Sequence, residues 1–109
     1  MRVIKFLGSL FLLIGVFSAQ AQAPQLTIFA AASLTDVLTE AGAQFTAMTG
    51  TEIAFNFGSS STLATQLTEG AEADIFASAN IRQAQVAVDA GLVNGDMIIF
   101  AKNRLVVIT

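Results

Sequence analysis

A mainly parallel α/β sheet flanked by helices is the fold class this sequence predicts, and three observations carry it. Apolar residues switch repeatedly between strand-like runs and helix-spaced stripes from residue 25 onward. Glycine follows each helical stretch, at Gly50, Gly70 and Gly91. The 109 residues are 54% hydrophobic and only 12% charged, the reverse of a disordered composition.

The elements follow in order. Leu26-Thr27-Ile28-Phe29-Ala30 is a short β-prone run and reads as a buried strand. Leu34, Val37, Leu38, Ala41, Phe45 and Met48 then recur at helical spacing, which predicts one apolar helix face ended by Gly50. In Glu52-Ile53-Ala54-Phe55-Asn56-Phe57 the period returns to two, with Ile53, Phe55 and Phe57 on one side. Leu63, Ala64 and Leu67 predict a shorter helix ending at Gly70. Asp74-Ile75-Phe76-Ala77 predicts a third strand, and Val86 to Ala90 closes a third helix at Gly91. Met97–Phe100 and Leu105–Ile108 predict two final strands. The order β-α-β-α-β-α-β-β implies a mainly parallel sheet with helices on both faces.

The first residues read differently. Arg2 and Lys5 make a basic start, Phe6 to Phe17 are uncharged and mostly large and apolar, and Ser18-Ala19-Gln20-Ala21-Gln22-Ala23 supplies small residues. That layout predicts a secretory signal peptide over residues 1–21, cleaved after Ala21 in preference to Ala23. The apolar run is too short for a spanning helix, which needs about 18–20 residues. With the signal removed, three basic residues face eight acidic ones, and the net charge moves from −3 to −5. A bacterial periplasm is the expected destination, since the signal has neither a twin-Arg pair nor a cysteine to lipidate.

Composition also excludes functions. Without Cys or His, thiol and Ser-His-Asp catalysis, disulfides and structural zinc are all removed. Nucleic acid has no basic footprint to bind. Asp36 and Glu40 stand i,i+4, but without His or Cys nearby they read as a solvated helix face and not as a metal pair. Lys102 is the single lysine after the signal, and its spacing does not support a Ser-Lys dyad. Arg82 and Arg104 read as surface residues, and Asp74 as a structural tie.

Ligands of parallel α/β sheets bind beyond the carboxyl ends of the strands. Two such junctions are rich in hydroxyls: Ala30-Ala31-Ala32-Ser33-Leu34-Thr35-Asp36 and Gly58-Ser59-Ser60-Ser61-Thr62-Leu63. Helix starts present unpaired N–H groups and the positive end of a dipole. Small residues before them let a ligand approach the backbone. The structural alternative is plain capping, with Ser33 and Asp36 as a capping-box variant.

At these junctions the sequence resembles the periplasmic molybdate-binding proteins of ABC importers. Thr27–Thr35 is similar to their opening strand and first ligand loop, and Phe57–Ala64 to their second, with Gln66-Leu67 following. Gly70–Ala79 and Asn103–Val107 resemble two further blocks in order, so the resemblance covers residues 25–109. It implies the first lobe of a type II periplasmic binding fold, residues 22–109, with the chain stopping before a second lobe. It implies Ser33 and Ser60 as molybdate ligands, with backbone donors at Ala32 or Ser61. It also implies a membrane permease as partner, a monomer, and no cofactor, metal cation or catalytic residue. Glu72 stands where proline is usual, Asn80 where aspartate is common and Gly58 where alanine is frequent. A tyrosine ligand belongs to the second lobe in the family, and this chain has no Tyr.

The chemistry suits such a ligand. Molybdate at neutral pH is a dianion whose oxygens only accept, so serine hydroxyls and N–H groups match it. Tungstate, of nearly the same size, is expected to bind similarly. Sulfate is also a dianion and would have to be separated by cavity size. Another oxyanion such as sulfate, or a truncated remnant without function, is the alternative reading. A small esterase or phosphatase is disfavoured by the missing His and Cys.

Overall fold

A computed structural model describes residues 22–109; the expected signal peptide lies outside the described residues. The elements are β1 (Gln25–Ala31), α1 (Thr35–Thr49), β2 (Glu52–Gly58), α2 (Ser60–Thr68), β3 (Ile75–Ala77) and α3 (Ile81–Asp89). A single 3-10 turn, Ala32–Leu34, joins β1 to α1. The sheet is parallel throughout, in the order β2-β1-β3.

β1 pairs with β2 over its whole length, from Gln25↔Glu52 to Ala31↔Gly58. It meets β3 over Ile28↔Ile75, Phe29↔Phe76 and Ala30↔Ala77. The chain therefore steps outward from β1 to β2, then back across β1 to reach β3. Two crossovers of one hand in opposite directions put their helices on opposite faces. The side chains show this division. Ile28, Ile53 and Phe55 face a cleft shared with Leu38, Ala41, Gly42 and Phe45 of α1. Phe29 packs instead with Leu63 and Leu67 of α2, joined at the margin by Ala73 and Phe76. Alternation along a strand explains why neighbours Ile28 and Phe29 serve different layers.

The period-two reading of β2 holds, and the rings of Phe55 and Phe57 stack with centroids 4.9 Å apart. Asn56 points the other way, where its Nδ2 donates to Gln66 Oε1 of α2 at 3.0 Å. The α1 stripe is partly corrected. Val37 and Met48 are 59% and 84% exposed, because the sheet is met by Leu38, Ala41, Gly42 and Phe45. Gly42 is the one fully buried residue of α1. A Cβ there would sit 2.9 Å from the Phe55 ring, so the helix approaches the sheet through its smallest residue. Gly50, at φ +75°, closes α1 in the left-handed conformation and donates its N–H to Thr46 O at 2.8 Å. At the end of α2, Ala71 N–H reaches Gln66 O, and at the end of α3, Leu92 N–H reaches Ala87 O, so both close in the same wrapped turn.

The two final strands expected from Met97–Phe100 and Leu105–Ile108 do not form among the described residues. Val107 is 93% exposed, and its neighbours are little less so. An apolar run states that a segment has surface to bury. A strand also needs a backbone ladder, which composition does not specify. Here the β3 edge is only three residues long.

Two stability effects follow. Leu63, 1% exposed, is the most enclosed large side chain, and Leu63→Ala is expected to cost about 2–5 kcal/mol. Urea unfolding should show a lower midpoint at similar slope. Gly42→Val should cost about 1–3 kcal/mol by driving α1 off Phe55. An unchanged midpoint would mean that α1 rides higher on the sheet than described.

Candidate functional site

The β1–β2 register sets the two hydroxyl-rich junctions level with one another. Ala31 and Gly58 are the last paired residues, and Ser33 and Ser60 each lie two residues beyond them. Paired strands run about 4.8 Å apart, so both loops open from the same end of the sheet, beside each other.

The second junction allots its protons unequally. Ser59 is the N-cap of α2, and its Oγ accepts from Thr62 N at 3.2 Å. The Ser59 hydroxyl donates to Thr62 Oγ1 at 2.7 Å, and Ser61 Oγ lies 3.3 Å away. Because a hydroxyl has one hydrogen, Ser59 has none left, and Ser61 must be the donor in their contact. Ser60 differs. Its Oγ accepts the Ala79 N–H at 3.0 Å, an interaction that uses a lone pair and leaves the proton unspent among the described residues. The backbone N–H groups of Ser60 and Ser61 also lack a partner within the helix, since the first turn has no earlier carbonyls. Thr62 N–H, the next along, is the one taken by the cap.

The first junction corrects the capping alternative. α1 starts at Thr35 with Leu34 at its N-cap, and no side chain caps it. Ser33 sits in the 3-10 turn, exposed, outside any capping role. Asp36 occupies the first turn of α1, with no reciprocal bond to Ser33 among the described residues. The Thr35 hydroxyl donates to Ala32 O at 2.7 Å, pinning the turn. Ala32 and Ser33 follow the last β1–β2 pair, Ala31↔Gly58, and as the first residues of the turn their N–H groups have no earlier carbonyl within it.

The β1–β2 register thus sets Ser33 and Ser60 at one end of the sheet, with Ala32 and Ser61 next to them in sequence. Arg82, Lys102 and Arg104 are exposed and belong to neither loop. Asp74 is the tie expected from sequence: its Oδ2 accepts from Thr27 N at 2.8 Å, and its own N–H donates to Thr27 O at 2.8 Å. Two recesses lie elsewhere. One, of about 470 Å³, is lined by Thr27, Glu72, Asp74 and Leu92 toward the opposite end of β1; the other is the cleft under α1. The serine loops line neither recess, and each carries neutral hydroxyl and N–H donors.

Sequence reasoning missed two polar contacts in this region. The Ala79-to-Ser60 bond joins residues nineteen apart, and no local pattern announces a backbone donor. The Asn56–Gln66 bond did leave a signal, since a lone amide between Phe55 and Phe57 needs a partner when its side faces a helix.

Known proteins of similar sequence and fold are found. The family model for bacterial extracellular solute-binding proteins matches residues 26–109. The molybdate-binding protein ModA of Mycobacterium tuberculosis is 46% identical over 87 residues, covering 79% of this chain and 33% of the relative. ModA of Escherichia coli is 43% identical over 72 residues, covering 66% of this chain and 28% of the relative. The chain therefore spans about a third of the length of these relatives. Among solved structures, the substrate-binding domain assigned to a molybdenum ABC transporter of Clostridium difficile superposes with a TM-score of 0.59 at 29% identity, over 62% of this chain and 30% of that one. All of these relatives bear the names of binding proteins. With the family model spanning both serine loops and every strand of the sheet, the chain belongs to the bacterial extracellular solute-binding proteins.

Proposed function

We propose that this chain is the first lobe of a periplasmic molybdate-binding protein that delivers its ligand to the membrane permease of an ABC importer. Tungstate would be taken by the same site. The observation that carries the reading is the matched placement of Ser33 and Ser60, each two residues past the Ala31↔Gly58 pair, in a chain whose relatives bear the name molybdate-binding protein. In this reading the Ser33 and Ser60 hydroxyls donate to the oxyanion, assisted by the N–H groups of Ala32 and Ser61. A second lobe supplies the remaining donors, and the signal peptide over residues 1–21 directs export.

Neutral donors suit a dianion at this position. Each hydroxyl and N–H offers hydrogen to an oxygen that carries none, and no buried countercharge has to be desolvated when the site is empty. Ser60 meets this requirement because its proton is unspent, whereas Ser59 next to it has already committed its own.

Titration calorimetry with sodium molybdate tests the assignment. Ser33→Ala and Ser60→Ala should each lose about 1.5–3 kcal/mol, a fall of roughly 10- to 150-fold in affinity. Undiminished binding in both variants would sink the site, and sulfate binding as tight as molybdate would reassign the ligand. Ser59→Ala provides the contrast. Loss of the cap should lower stability by about 1 kcal/mol, seen as a lower unfolding midpoint, with a smaller loss of affinity than Ser60→Ala.

A further inference from the structure

The Ser60 hydroxyl is where two distant parts of the chain meet. Its oxygen accepts the Ala79 N–H at 3.0 Å. Ser60 follows β2 and Ala79 follows β3, and these strands flank β1 on opposite sides. The bond therefore reaches over the end of the central strand. The turn that presents Ala79 is itself closed. Ser78 Oγ donates to Asn80 O at 2.7 Å and accepts from Asn80 N at 3.2 Å. Asn80 Oδ1 in turn accepts from Gln83 N at 3.1 Å, capping α3.

We propose that the Ala79 N–H is a positioning group for oxyanion binding: it holds Ser60 Oγ by a lone pair, so that the hydroxyl proton is presented to a tetrahedral dianion. The role rests on Ser60 being a ligand donor. A serine hydroxyl rotates to suit whichever neighbour is available. An N–H on its oxygen removes the Ala79 turn as a place to donate, and the proton is left for an acceptor outside the fold. The two bonds also reinforce each other. As the anion draws on the Ser60 proton, the oxygen becomes a better acceptor for Ala79, so N–H, O–H and anion form one polarised chain. Ser59 and Ser61 have no such arrangement, since their hydroxyls are occupied with each other and with Thr62. The turn Ser78–Asn80 thereby becomes part of the binding apparatus without touching the ligand.

The test combines calorimetry with amide resonances of the isotopically labelled protein titrated with sodium molybdate. The Ala79 amide should shift along the same isotherm as those of Ser60 and Ser61, and Ser60→Ala should abolish its shift. Ala79→Pro removes the N–H and should weaken molybdate binding roughly two- to tenfold. In a Ser60→Ala background the same change should cost nothing further, which a merely structural role would not produce. Ser78→Ala keeps the N–H but loosens its turn; it should show the same dependence on Ser60, and it decides the matter should Ala79→Pro fail to fold. An equal loss in both backgrounds overturns the positioning role, as does an Ala79 amide that stays still while Ser60 and Ser61 respond. If molybdate moves neither the Ser33 nor the Ser60 amide, the ligand assignment itself fails and the positioning role goes with it.

Discussion

The parallel pairing of β1 with β2 is the constraint on which the rest depends. Seven consecutive pairs fix the two strands without a slip, from Gln25↔Glu52 to Ala31↔Gly58. A shift of one residue would exchange Ile28 for Phe29 beneath α1 and turn the layers inside out. The same pairing brings both strands to an end at one level, so the turn after β1 and the helix after β2 begin side by side. The packing of two layers and the convergence of two serine loops are consequences of one register.

The edge of the sheet depends on it less directly. β3 is only three residues long, too short for its ladder alone to hold it firmly. Asp74 supplements that ladder with a carboxylate on Thr27 N–H and a backbone bond to Thr27 O. At the other end, the Ser60–Ala79 bond ties the loop after β3 to the start of α2. A weak strand is thus held at both ends by polar contacts, and the lower end is remote from the serines.

Sequence patterning made the order of the first six elements legible, because each is an amphipathic unit whose period is written in consecutive residues. Leu63, Ala64 and Leu67 announced the buried side of α2, and all three are buried. The α1 stripe was legible only in part. Val37 satisfies the spacing as well as Leu38 does, and the position of the sheet, which is not local information, decides between them. The final apolar runs failed for a related reason: Leu105 to Ile108 declare surface to bury without naming a partner. Of the candidate site, the two serine loops could be read as hydroxyl-rich helix starts. Which serine keeps its proton could not be read, since Ser59, Ser60 and Ser61 are chemically identical until a cap and a distant amide separate them.

The central place of β1 has a consequence for the order of assembly. The first strand to be synthesised is the last to be fully enclosed, because β3, the partner on its second side, arrives about 47 residues later, as the Thr27–Asp74 bond measures. Until then one edge of β1 is an open row of donors and acceptors, the kind of edge that pairs with strangers. Contacts between residues so far apart in sequence also form slowly. A nascent chain of this topology therefore stays unfinished until β3 has emerged, which leaves it in a form that can still be threaded or handed on before the sheet closes.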